Sequence, residues 1–119
     1  MSDGLGWDDL EVALAGPGVE IRTVEAAGMT NALIRLSAGF DARPVFKGLP
    51  GDLCQVPHWG YVISGQLALW TADGSRRTYE PGELFVWEPG HAPAADVDTE
   101  YVELSPSDGY AGLMAHVRG

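Results

Sequence analysis

The chain has 119 residues, 45% of them hydrophobic, with a formal charge of -10. That length suits a single domain over residues 1–119 that buries about two-thirds of its unfolded surface. The acidity repels phosphate backbones and anionic lipid heads, which argues against nucleic acid and membrane surfaces as partners.

Near the start, Trp7, Leu10, Val12 and Leu14 are spaced to line a brief helix over Asp8–Ala15, ended by Gly16-Pro17-Gly18. The punctuation then changes. "VEIRTVEAAG" and "MTNALIRLSAG" alternate apolar and polar residues and stop at Gly28 and Gly39, the pattern of two strands. "FDARPVFKGLPGDL" is loop-like. "HWGYVISG", "QLALWTADGSRRTYEPG", "ELFVWEPGHAPA" and "TEYVELSP" follow, each rich in β-formers and closed by a turn signal. Asp73-Gly74 marks a hairpin, because both residues tolerate positive φ. Short strands at this spacing, with little helix between them, predict an antiparallel sandwich or barrel. In the last segment Tyr110, Leu113, Met114 and Val117 share one helical face. A C-terminal helix over about 106–118 is expected, with Ser105 as N-cap and Pro106 at N1, packed on the outside of the barrel.

"CQVPHWGYVISGQL" holds the lone cysteine, Cys54, and one of three histidines, His58. If the stretch is extended, Cys54 and His58 project to one side, since positions two apart share a face. A thiolate and an imidazole there suit zinc, iron, copper or nickel. Plainer readings stand beside that one. A free cysteine often serves as a small buried hydrophobe, and a strand histidine as a satisfied core residue. Nothing marks an oxyanion hole that would make Cys54 a nucleophile. The lone cysteine also excludes an intrachain disulfide, fits a reducing compartment, and points to the cytoplasm. "MSDGLGWDDL" has no basic and apolar signal pattern, and no stretch has the length of a membrane span.

The strand order, the glycine punctuation and "CQVPHWGYVISGQL…PGELFVWEPGHAP" together resemble the cupin superfamily over about residues 19–104. The resemblance implies an all-β, double-stranded β-helix (jelly-roll) barrel. "YVISG" is similar to the close of the family's first motif. Counting back from Gly65 sets His58 where the family keeps glutamate, and Cys54 and Asp52 where it keeps histidines. In the second motif Gly82 and Gly90 match, Glu88 and Pro93 replace the usual proline and histidine, and His91 lies two residues early. The resemblance places His91 at the barrel mouth near Cys54 and His58. These three are therefore the candidate ligands of a divalent transition metal, with Asp52 and Glu88 as further oxygen donors.

Trp59, Tyr61, Trp70, Phe85 and Trp87 are candidate walls of a pocket for an apolar or aromatic small molecule, or else packing residues. The Phe40–Leu53 loop is then a lid, and its Lys47 a contact for an anionic substrate. His116 is expected to be exposed and without a role. Apolar residues on both faces of the strands exceed what one small barrel holds, so a homodimer is expected. The functional expectation is a small-molecule isomerase, cyclase or oxygenase that uses a metal. The alternative is a non-catalytic ligand-binding or sensing cupin with a vestigial metal site.

Overall fold

The computed structural model describes residues 4–119. Nine strands follow one another: β1 (Glu11–Gly16), β2 (Val19–Ala26), β3 (Met29–Leu36), β4 (His58–Ser64), β5 (Leu67–Thr71), β6 (Arg76–Tyr79), β7 (Leu84–Trp87), β8 (His91–Ala94) and β9 (Thr99–Pro106). The helix α1 (Ser107–Val117) comes last. All strand pairs are antiparallel, in a six-stranded sheet ordered β1-β2-β3-β9-β4-β7 and a three-stranded sheet ordered β6-β5-β8. The two sheets form a jelly-roll barrel whose core includes Ile34, Val62, Leu67, Leu69, Phe85 and Tyr101. No helix among the described residues is long and apolar enough to cross a membrane.

Glycine is required where strands approach closely. A Cβ on Gly60 would overlap the Phe85 ring and the Val102 carbonyl. Gly65 has φ 82°, and a Cβ there would run into the Asp98 carbonyl, so the turn after β4 admits no side chain. The predicted Asp73-Gly74 hairpin joins β5 to β6, and Asp73 caps it by accepting from Thr71 Oγ1 at 2.6 Å and from the Ser75 N–H at 2.9 Å.

The N-terminal helix over Asp8–Ala15 does not form. A 3₁₀ turn spans only Trp7–Asp9, and β1 begins at Glu11. The apolar spacing that suits a helix there is overridden by pairing with β2, from Glu11↔Thr23 to Gly16↔Val19. Trp7 anchors the turn beneath two guanidinium groups, with Arg35 3.9 Å and Arg22 4.5 Å from its ring.

The C-terminal helix forms near its predicted bounds but in a different place. Its buried residues Tyr110, Leu113 and Met114 line the barrel cavity, so α1 closes the barrel end instead of lying on its outside. Ser105 is not its N-cap. It belongs to β9, and Pro106 stands at the cap with no side-chain bond. His116 is half-buried and its Nε2 lies 2.9 Å from the Lys47 carbonyl, while Arg118 donates to the Ala13 carbonyl at 2.6 and 2.9 Å. Both contacts tie the helix across the closed end.

Candidate metal centre

Cys54 and His91 meet through backbone. The Cys54 N–H donates to the His91 carbonyl at 2.9 Å, and the N–H groups of Gly90 and His91 donate to the Cys54 carbonyl at 2.8 and 3.2 Å. This is an isolated bridge and not part of a regular strand. Cys54 and His58 therefore do not share a face through alternation along one strand, because the chain bends between them and β4 starts only at His58. The bridge to His91 holds Cys54 at the site, and the inward row of β4 supplies His58.

The three candidate donor atoms all lie within 4.8 Å of one another, and all three side chains are buried. Cys54 Sγ is 3.5 Å from His58 Nε2. His91 Nδ1 lies 2.7 Å from the Glu88 carbonyl, which only accepts, so Nδ1 carries the proton. The lone pair is then on Nε2, a buried atom with no hydrogen-bond partner. His58 Nδ1 is 2.6 Å from Ser105 Oγ, which orients the ring and leaves Nε2 toward Cys54. A ring nitrogen held by a polar partner, with the other nitrogen free inside, is the usual arrangement of a metal-ligating histidine.

Electrostatics make the centre neutral without an ion. Burial pushes the Cys54 thiol up to about 12 and pulls His58 down to about 3, with His91 also lowered by burial. Glu103, inward on β9, is pushed up to about 8 by burial alone, so it is protonated at neutral pH. Its Oε1 stands 3.7 Å from His58 Nε2, but with both groups uncharged that contact is no ion pair.

His58, His91 and Glu103 face a cavity of about 60 Å³, with Cys54 buried behind the histidines. His58, His91, Glu103, Tyr101 and Tyr110 line its polar side, while Leu14, Ile21, Ile34, Phe46 and Leu113 are among its apolar walls. Among the described residues, no Lys or Arg lines it. Trp87 Nε1 and Tyr110 Oη are also buried there without partners.

Of the other residues singled out by sequence, Asp52 is exposed and its carboxylate accepts from the Gly48 N–H at 2.9 Å. Glu88 is exposed and contributes only its backbone carbonyl. Trp59 and Tyr61 are each 43% exposed on the outer face of β4 and line no part of the cavity. Trp70 lies under Arg43 on the surface, 3.9 Å from ring to guanidinium. Phe85 is buried and stacks on Trp87 at 4.1 Å, and of the five aromatics only Trp87 reaches the cavity. The Phe40–Leu53 loop contributes Phe40, Ala42, Val45 and Phe46 to the wall, whereas Lys47 is exposed and points its carbonyl to α1.

Glu103 and Ser105 are the residues that sequence reasoning missed. Their signal is indirect. In "TEYVELSP" the apolar Val102 and Leu104 look like the core row. The register pairs them with Tyr61 and Trp59, so placing His58 inside turns Glu103 and Ser105 inward as well.

No family model matches this chain, and no curated protein matches it. Solved structures do match. The polyketide cyclase RemF from Streptomyces resistomycificus aligns with a TM-score of 0.67 at 15% identity, over 90% of this chain and 80% of that one. An RmlC-like cupin from Shewanella frigidimarina aligns at 0.63 and 14% identity, over 86% and 88%. KdgF from a Halomonas species aligns at 0.61 and 20% identity, over 89% and 94%. The chain has the cupin fold.

Proposed function

We propose that this cupin-fold chain holds a divalent transition metal and acts on a small, uncharged, apolar or aromatic metabolite as an isomerase, cyclase or oxygenase. The observation that carries the reading is the convergence of Cys54, His58 and His91, within 4.8 Å of one another, with the two histidines in the wall of an apolar cavity. Thiolate and imidazole donors suit zinc, iron, copper or nickel. When bound, such an ion supplies Lewis acidity or a site for water or dioxygen.

The chain's own residues set the rest. With no Lys or Arg among the described residues that line the cavity, nothing in its wall apart from the ion pairs with a carboxylate or phosphate, which favours an uncharged ligand. Trp87 Nε1 and Tyr110 Oη offer donors to a substrate oxygen. The apolar walls limit water around the reacting groups, and a ligand larger than the cavity requires its walls, to which α1 and the Phe40–Phe46 segment contribute, to move. The fold shared with a polyketide cyclase supports a cyclase among these reactions.

A non-catalytic sensing role is the second reading, favoured by the small volume of the cavity, about 60 Å³. The homodimer belongs to the same proposal, and it is formed through the outer face of β4 and β7. Trp59, Tyr61, Ile63, Leu84 and Val86 are 41–80% exposed there. The charge of -10 supports a partner set without nucleic acid or membrane, and the single cysteine supports the cytoplasm.

Metal analysis of protein purified from cells tests the proposal. One equivalent of metal in the wild type, lost in both Cys54→Ala and His58→Ala, is expected. Folded protein that takes up no transition metal at micromolar concentration sinks the metal-dependent reading and leaves the sensing one.

A further inference from the structure

We propose that Glu103 is a fourth ligand to the ion held by Cys54, His58 and His91, an inference that rests on the metal-binding reading above. Glu103 is 5% exposed and faces the cavity from the centre of β9. Its one ion-pair-range contact among the described residues is His58 Nε2, at 3.7 Å. A buried carboxyl group stays neutral without a cation, and a buried carboxylate is one that is paired or coordinates a metal.

The distances fit a shared ion. Around His58 Nε2 stand Cys54 Sγ at 3.5 Å and Glu103 Oε1 at 3.7 Å. Bond lengths of about 2.0–2.3 Å in a tetrahedral site set its donors roughly 3.3–3.6 Å apart. The carboxylate is not within 4.8 Å of all three other donors, so it reaches the ion by rotation of its side chain. The adjoining cavity leaves room for that movement. The other carboxylates near the motifs do not compete, since Asp52 and Glu88 are exposed.

Charge gives the second argument. A divalent ion on one thiolate and two neutral imidazoles leaves one net positive charge among apolar walls. Adding the Glu103 carboxylate balances it and removes most of the cost of burying that charge. Four protein ligands close a tetrahedral zinc site, whereas an ion that accepts five or six ligands keeps positions for substrate.

The test uses cobalt(II) absorption and zinc competition against a chelator, on the wild type, Cys54→Ala and Glu103→Gln. Glu103→Gln is expected to keep one-to-one binding and the sulfur-to-cobalt charge-transfer band. Its affinity should fall tenfold or more, at or beyond the range seen for groups that only support ligands. Its d–d bands should shift as water replaces carboxylate. Affinity within twofold of the wild type, with superimposable d–d bands, overturns the inference. If Glu103→Gln does not fold, a crystal structure of the zinc-loaded wild type decides. A Zn–O distance of about 2.0–2.2 Å to Glu103 is expected, and a water in that position with the carboxylate out of reach overturns the inference. Unchanged metal binding in Cys54→Ala is a different failure. It removes the reading under which the ion is held at all.

Discussion

The two faces of β4 and β7 both depart from the usual partition of residues, although Val62, Phe85 and Trp87 keep an apolar core inside. The inner face of β4 carries His58, and the neighbouring β9 turns Glu103 and Ser105 inward. The outer face of the same strands shows Trp59 and Tyr61 at 43% exposure, Val86 at 68% and Leu84 at 80%. A half-buried strand ordinarily puts apolar residues inside and polar ones outside. Here the interior keeps buried polar atoms without a partner among the described residues, His91 Nε2 among them, and the exterior shows bare aromatic and aliphatic surface. Each side lacks the kind of partner that the other side would suit. The interior fits an ion and a small ligand, and the exterior fits a second apolar surface.

The largest expected effect comes from breaking the inner face. Zinc at about a thousandfold over its dissociation constant stabilises a folded protein that binds it by about 4 kcal/mol. Thermal melts should therefore rise by several degrees with zinc for the wild type and not at all for Cys54→Ala. A zinc-dependent rise that persists in Cys54→Ala shows an ion held elsewhere.

Breaking the outer face should leave the inner one intact. Leu84→Asp puts a charge in the middle of the exposed patch, where 80% exposure means the monomer itself loses little. Sedimentation should show dimer for the wild type and monomer for this variant, with metal content unchanged. A wild type that sediments as a monomer at micromolar concentration ends the dimer proposal.

A smaller effect separates holding a ligand from orienting one. Ser105→Ala removes the 2.6 Å partner of His58 Nδ1 and leaves all donors in place. Metal affinity should fall about 10–100-fold, the range for such supporting groups. Competition with a chelator measures it, and unchanged affinity means the backbone alone sets the ring.

The smallest effect lies in the β5–β6 hairpin. Bonds from Thr71 and Ser75 hold the Asp73 carboxyl well below its ordinary 3.8. A depressed folded value means the contribution to stability is fully present above the unfolded value. It is lost as pH falls through the folded one. Carboxyl chemical shifts followed against pH should place Asp73 below the ordinary range, and Asp73→Asn should flatten the acid limb of stability only slightly.

Much of the barrel is legible in the residues alone, because short-range chemistry writes strands and turns. The runs from "VEIRTVEAAG" to "TEYVELSP" form strands, and Asp73-Gly74 forms the hairpin. Alternation also sets Trp59, Tyr61 and Ile63 opposite His58 without reference to any other strand. What alternation does not carry is which of two faces turns inward, or what a residue meets across the barrel. Glu11–Ala15 reads as helix by spacing and belongs to a strand because β2 offers it a partner. Cys54 reaches His58 through a bridge to His91, 37 positions along the chain, and not through a common strand. Glu103 sits beside them because the β4–β9 register couples its side to that of His58. The residue types suited to a metal are a property of the sequence. Their meeting at one point depends on pairings between distant strands, which no local pattern encodes.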